Sequence, residues 1–233
     1  MKYNTELQNN NAELQAILDS VNGLPNAGGE NKADTILSLL SGIVFIDVVF
    51  PFEELELSFP NIASHNGSIT FQGSTGLKKV KLIADNPDVN MSCANMFATK
   101  AGTTYNDDLQ IIDLSEFKIG ITSFMNSFSN NRELVSILGT LDMSRLTSVK
   151  DLVNIFRNCY KLKEVRFAKE TVKYNLTLAP CSLLSDTSIQ SIIDGLADLT
   201  DSDTQTLTLH ADVKAKLTEE QITTITSKNW TLA

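Results

Sequence analysis

Three times this chain repeats one short pattern: Asn-x-Phe, then a variable stretch, then Leu-x-x-Ile or Leu-x-x-Val. The copies are Asn95-Met96-Phe97 with Leu109 and Ile112, Asn126-Ser127-Phe128 with Leu134 and Ile137, and Asn154-Ile155-Phe156 with Leu162 and Val165. Phe97 and Phe128 lie 31 residues apart, Phe128 and Phe156 28. A unit of that size cannot bury its own apolar face and buries it against its neighbours, so the period predicts stacked repeats, a solenoid. Such a pattern describes a scaffold and a surface, not a reaction.

Composition is that of an ordinary globular chain: 42% hydrophobic and 20% charged residues over 233 positions suffice for a continuous core. The formal charge of −9 repels phosphate backbones and supplies no counterion release, which points away from nucleic acid as a partner. Cys93, Cys159 and Cys181 are too few and too scattered for a disulfide framework, and none forms a Cys-x-x-Cys pair. They read as buried thiols of a protein made in a reducing compartment.

The first residues lack the basic and apolar regions of a secretory signal, and no stretch of about 18 apolar residues is present, so neither export nor membrane insertion is expected. Ile43 to Phe50 is broken by Asp47 and rich in β-branched residues, and reads as a strand. Within residues 4–24, Leu7, Asn10, Leu14, Ile17, Val21 and Leu24 advance in heptad steps along one helical seam. Two readings stay open: a coiled coil that assembles a homo-oligomer such as a trimer, with Asn10 fixing its register, or an amphipathic helix that caps the solenoid. Asn22-Gly23, Pro25 and Gly28-Gly29 then form a flexible joint, and Asp34 caps a short helix that Gly42 ends.

From residue 43 to 178 short strand signals alternate with turns. Phe71 and Leu77, with Val80 and Leu82, make a degenerate first copy, because Phe71 to Leu77 has the spacing of Phe128 to Leu134. Phe97 to Leu109 is longer, and its insert, Thr99 to Asp108, is polar and contains glycine, as a protruding loop would be. Tyr105 and Asp107 in this loop are candidate partner contacts. A tolerated insertion without a role fits equally well, since loop length costs little. The phenylalanines are expected to stack as an interior column, and Asn95, Asn126 and Asn154 to turn their amides toward backbone groups left unpaired. On the exposed strand faces Lys78, Lys79 and Lys81, with Lys161, Lys163 and Arg166, are expected to give local positive character; Lys79, Lys81, Lys163 and Arg166 are the candidate binding residues there.

The run Leu141-Asp142-Met143-Ser144-Arg145-Leu146-Thr147-Ser148-Val149 into Asn154-Ile155-Phe156-Arg157-Asn158-Cys159-Tyr160-Lys161-Leu162 resembles the BspA-type leucine-rich repeat, and Ile112-Asp113-Leu114-Ser115 before Phe128 resembles an earlier copy. The resemblance covers roughly residues 55–178 and departs from the pattern at the insert after Phe97 and at Asn131, which stands where Cys159 does. It implies an α/β fold, a leucine-rich-repeat solenoid of short strands and turns. It also implies company among bacterial surface proteins and the phage or prophage proteins of gut bacteria, whose members bind different things.

The last part reads as a cap. Ser185 or Asp186 starts a helix carrying Ile189, Ile192, Ile193 and Leu196, Leu207-Thr208-Leu209 is a strand, Thr218-Glu219-Glu220-Gln221 is a capping box, and Trp230-Thr231-Leu232 is a closing strand. Lys228 falls in the last turn of the second helix, where it would complement that helix's dipole. The expected organisation is therefore an N-terminal helix and linker over residues 1–30, the solenoid over 31–178 and a helix-strand-helix cap over 179–233.

No catalytic or cofactor constellation is legible. His65 and His210 have no ligand spacing, and nucleophile elbows, phosphate loops and zinc motifs are missing. Asp107-Asp108 and Asp198 to Asp203 are carboxylate clusters in polar turns, readable as calcium ligands or as solvated loops. Sequons at Asn66, Asn90, Asn175 and Asn229 carry no weight without export. The function expected is non-enzymatic: a phage or prophage virion component, tail-associated or receptor-binding, made in the host cytoplasm and meeting a protein or cell-surface receptor. A bacterial surface adhesin or an intracellular protein-binding regulator are the alternatives.

Overall fold

A computed structural model describes residues 49–58, 71–98 and 108–233, all within the unit Gly42–Ala233. The heptad seam of residues 4–24, the joint after it, His65, Tyr105 and Asp107 lie outside the described residues. The fold is mixed α/β, with two parallel sheets and few helices.

The first sheet contains β1 (Glu54–Ser58), β2 (Lys79–Ser92), β3 (Ile111–Ser123) and β4 (Ser136–Leu138), all parallel and in chain order. Alternation sends Val80, Leu82 and Ala84 of β2 and Ile112 and Leu114 of β3 inward, and leaves Lys79, Lys81, Ile111 and Asp113 on the other face. Two of these strands are longer than the expected short ones, at 14 residues for β2 and 13 for β3. The segment Asp85-Asn86-Pro87-Asp88 has the composition of a turn, yet the chain stays extended there. Asn86 pairs with Ile119 and Asn90 with Gly120, so Pro87 sits in a bulge where its missing N–H costs no ladder bond. The bulge resets the alternation and lets Val89 and Met91 return to the core.

The Asn-x-Phe copies follow the strands and dock on one another. Phe71, Phe97, Phe128 and Phe156 stack near-parallel, with successive ring centroids 5.2, 6.2 and 5.7 Å apart. Phe167 meets Phe156 edge-on, and Phe50 tilts against Phe71. Each buried ring removes apolar surface worth about 1.5–3 kcal/mol, and each offset pair adds about 0.5–1.5 kcal/mol. Main-chain bonds run from copy to copy alongside: Asn95 N–H donates to Met125 O, Phe97 N–H to Ser127 O, Asn126 N–H to Val153 O and Phe128 N–H to Ile155 O, at 2.9 to 3.2 Å.

The asparagines do a different job from the one expected. Asn95, Asn126 and Asn154 have φ of 59, 54 and 55°, and Asn130 and Asn158 have 66 and 60°. This left-handed conformation is what selects asparagine, the non-glycine residue that tolerates it best. Two pairs of their amides bond sideways from copy to copy: Asn126 Nδ2 donates to Asn95 Oδ1 at 3.0 Å, and Asn158 Nδ2 to Asn130 Oδ1 at 2.7 Å. The backbone is served instead by Asn131, fully buried, whose Nδ2 donates to Phe97 O at 2.9 Å and Phe128 O at 2.8 Å. One copy later, the Cys159 thiol donates to Phe128 O at 3.0 Å.

The second sheet is β5 (Leu176–Leu178), β6 (Gln205–Leu209) and β7 (Trp230–Leu232), again parallel and in order. Because β5 pairs with β6, this sheet begins upstream of residue 179. Between its strands lie α1 (Asp186–Gly195), the single turn α2 (Ala211–Lys214) and α3 (Glu219–Ser227). Ser185 caps α1, and Thr218 and Gln221 close the expected capping box on α3. Lys228 complements a different helix from the one expected. Its Nζ donates to Leu196 O at 2.8 Å and Ile193 O at 3.3 Å, carbonyls at the end of α1. Trp230 is buried, and its indole N–H donates to Ala197 O at 2.9 Å. Among the described residues no helix is long and apolar enough to cross a membrane.

Candidate functional site

The outward face of the first sheet gathers the predicted lysines into cross-strand rows. Register aligns Glu54, Lys79, Ile111 and Ser136, and in the next row Glu56, Lys81, Asp113 and Leu138. Lys81 Nζ lies 2.7 Å from Glu116 Oε1 and 3.4 Å from Glu56 Oε2, and Lys78 Nζ lies 2.5 Å from Glu53 Oε1. The face is therefore a mosaic of alternating charge, not the expected positive patch. The reason is topological. Parallel register brings the carboxylates of β1 and β3 to both flanks of β2, a pairing that linear order along one strand does not reveal.

The hydrogen bond that Lys81 donates to Glu116 leads in holding its ammonium above the ordinary lysine range, against partial desolvation. Asp113 is desolvated, which works against its charge, but bonds from the Ser115 hydroxyl at 2.6 Å and N–H at 3.0 Å, with Lys81 and Lys79 nearby, hold its carboxyl below the usual range. An ammonium whose donors aim at carboxylates offers charge and hydrogen bonds, but no lone pair for proton abstraction or nucleophilic attack.

Lys163 and Arg166 are exposed and stand apart from Lys79 and Lys81. The row of Lys79 continues through Ile111 and Ser136 to Glu164, so Lys79 and Glu164 are three strand spacings, about 14 Å, apart. The Lys163 carbonyl has a structural task, accepting from Ser185 N–H at 3.0 Å and the Ser188 hydroxyl at 2.8 Å where α1 begins. Lys161 pairs with Glu133 at 2.6 Å.

Of the carboxylates in the two acidic clusters, Asp108 and Asp198 each accept a main-chain bond. Asp108 Oδ2 accepts from Gly76 N–H at 2.8 Å, and Asp198 Oδ1 from Thr200 N–H at 3.0 Å; the Thr200 bonds hold the Asp198 carboxyl below its ordinary range. His210 caps α2, its Nδ1 accepting from Asp212 N–H at 3.2 Å. Among the described residues no group of three or more His, Cys, Asp or Glu is placed to hold a metal ion.

A second concave surface was not legible in the sequence. It lies between the 3-10 turn Val149–Leu152 and the outward side of β5 and β6, and brings together residues about 50 positions apart. The one local signal for it was the alternation Thr206-Leu207-Thr208-Leu209, which predicts a threonine face opposite a leucine face.

Comparison with protein-family models, with curated proteins and with solved structures finds no match to this chain.

Proposed function

We propose that the chain is a non-enzymatic binding and structural protein: a leucine-rich-repeat solenoid of the BspA type, carried by a phage or prophage particle as a tail-associated or receptor-binding component. The observation that supports it is the coupling between successive Asn-x-Phe copies. Stacked rings, paired asparagine amides and main-chain bonds all run from one copy to the next, so the motif serves to build an extended framework. The exposed face of that framework carries charge and hydrogen bonds suited to a protein or cell-surface receptor, with Lys79, Lys81, Lys163 and Arg166 as its contacts; Tyr105 and Asp107, outside the described residues, are proposed as further contacts. Residues 4–24 supply homo-oligomerisation, such as a trimer.

Mass spectrometry of particles purified from a lysed producing culture tests this reading. The chain is expected in stoichiometric amount with other particle proteins. Its absence from particles sinks the reading, and recovery from washed cell envelopes instead would turn it toward an adhesin. Light scattering of the full chain beside one lacking residues 1–28 is expected to show an oligomer that becomes a monomer, and two monomers would remove the assembly role.

A further inference from the structure

The groove between the 3-10 turn and the second sheet has an unusual lining: every residue is uncharged. One wall is apolar, with Val149 and Val153 exposed at 46% and 43%. The other is the outward side of β5 and β6, where alternation buries Leu176, Leu207 and Leu209 and turns Thr206 and Thr208 toward the groove, beside Asn175.

The polar groups here are left over from the fold. Asn126 and Asn158 each donate an amide bond to the asparagine of the preceding copy, but the side-chain amide of Asn154 engages no partner among the described residues. Asn175 Oδ1 accepts from Thr206 N–H at 2.7 Å, which fixes the amide and leaves its Nδ2 donors unused. The hydroxyls of Thr206 and Thr208 likewise have no partner among the described residues. Two amides and three hydroxyls, all able to donate, thus converge opposite a pair of valines; the third hydroxyl is that of Thr177, whose oxygen accepts from Ala179 N–H at 3.5 Å.

We propose that this groove binds a neutral saccharide, a pyranose unit of a glycan. Neighbouring sugar hydroxyls both donate and accept, as the asparagines and threonines require, and the C–H face of the ring packs on Val149 and Val153. A phosphate, carboxylate or basic peptide would shed its hydration with no opposite charge to receive it. An apolar ligand would strip water from five polar side chains and return no bond. An extended peptide adds to a sheet through an open backbone edge, whereas Thr206 and Thr208 stand on the side-chain face of β6, which β5 and β7 pair on both edges. The proposal deepens the receptor-binding reading by naming the receptor's chemistry, and in that respect rests on it.

The test is saturation-transfer NMR of the full chain with maltotriose, cellotriose and chitotriose, and with sialyllactose and sucrose octasulfate as charged controls. At least one neutral trisaccharide is expected to bind in the millimolar range or tighter. Thr206→Val with Thr208→Val keeps the shape of the wall and removes both hydroxyls, and should weaken binding about tenfold or more. Asn154→Gly preserves the left-handed backbone and should weaken it as well, with circular dichroism unchanged in both variants. Failure of all three neutral sugars to bind, undiminished binding in both variants, or equal binding of the charged controls overturns the proposal. Sugar binding by a chain absent from particles would sink the phage reading alone; a particle-borne chain that binds no sugar would sink this one alone.

Discussion

The guanidinium of Arg145 occupies the space that a β-carbon on Gly120 would need. From there Nη1 donates to Asn90 Oδ1 and Nη2 to Pro87 O at 2.5 Å, so the side chain crosses β3 and braces the bulge in β2. A glycine inside a strand weakens it unless something must come close, and here that something is Arg145.

Gly120→Ala should therefore act by expelling the guanidinium. Because the far end of an arginine moves easily, the cost is that of its two exposed hydrogen bonds, about 1–3 kcal/mol. Arg145→Ala removes the same bonds and should cost a similar amount. In that background Gly120→Ala should be neutral or slightly stabilising, since it then only restricts the unfolded chain. A double-mutant cycle by urea unfolding checks this, and additive effects would show that the two residues are not coupled.

Asn126 separates backbone from side-chain roles. Its φ of 54° suits asparagine or glycine, and its amide bonds to Asn95. Asn126→Gly should lose only the amide bond, about 0.5–1.5 kcal/mol. Asn126→Ala loses that bond and also meets the left-handed penalty of about 1–2 kcal/mol. The expected order of urea midpoints is wild type, then Gly, then Ala. Alanine as stable as glycine would mean that the turn relaxes out of the left-handed region.

Asn131 satisfies two main-chain carbonyls inside the phenylalanine column. Asn131→Ala should cost about 1–3 kcal/mol by leaving the Phe97 carbonyl buried and unbonded, whereas Phe128 O keeps the bond from the Cys159 thiol. Asn131→Cys should cost less, because the Cys159 thiol reaches Phe128 O from the corresponding position one copy later. Thermal unfolding of the two variants decides it, and a cysteine variant no better than alanine would remove the equivalence.

The legible parts were those in which one residue type has one physical job. Phe97, Phe128 and Phe156 recur at a fixed place and stack as their spacing predicts, and Thr218 with Gln221 forms the capping box that its local order dictates. Relations between elements were not legible. Lys81 reads as a surface cation until register sets Glu56 and Glu116 beside it, and Lys228 reads as a cap on its own helix until folding brings the end of α1 within reach. Asn95 and Asn126 were correctly taken as structural, but the cause is a backbone angle, which side-chain chemistry alone does not disclose. The groove at Asn154 and Thr206 was invisible for the same reason: its walls are remote in sequence.

The cysteines couple burial to pH. Cys93, Cys159 and Cys181 are free and buried. Burial pushes the Cys181 thiol up to about 12, from an ordinary value of 9.0. Burial likewise raises Cys93 and, helped by the neighbouring Cys181, raises Cys159 well above the ordinary range. A group that holds its proton more tightly when folded lends stability that is fully present below its unfolded value and is lost as pH rises toward its folded one. For Cys181 that window runs from 9.0 to about 12, with a slope near 1.4 kcal/mol per pH unit. Urea midpoints should hold steady near neutral pH and fall above 9, and Cys181→Ala should remove one thiol's share of that slope even though it lowers stability at pH 7 by leaving a cavity. An aromatic disulfide reagent at pH 8 should leave the native chain unlabelled and modify all three thiols in urea. Rapid labelling of a native thiol would instead place that cysteine within reach of solvent and remove its part of the alkaline loss.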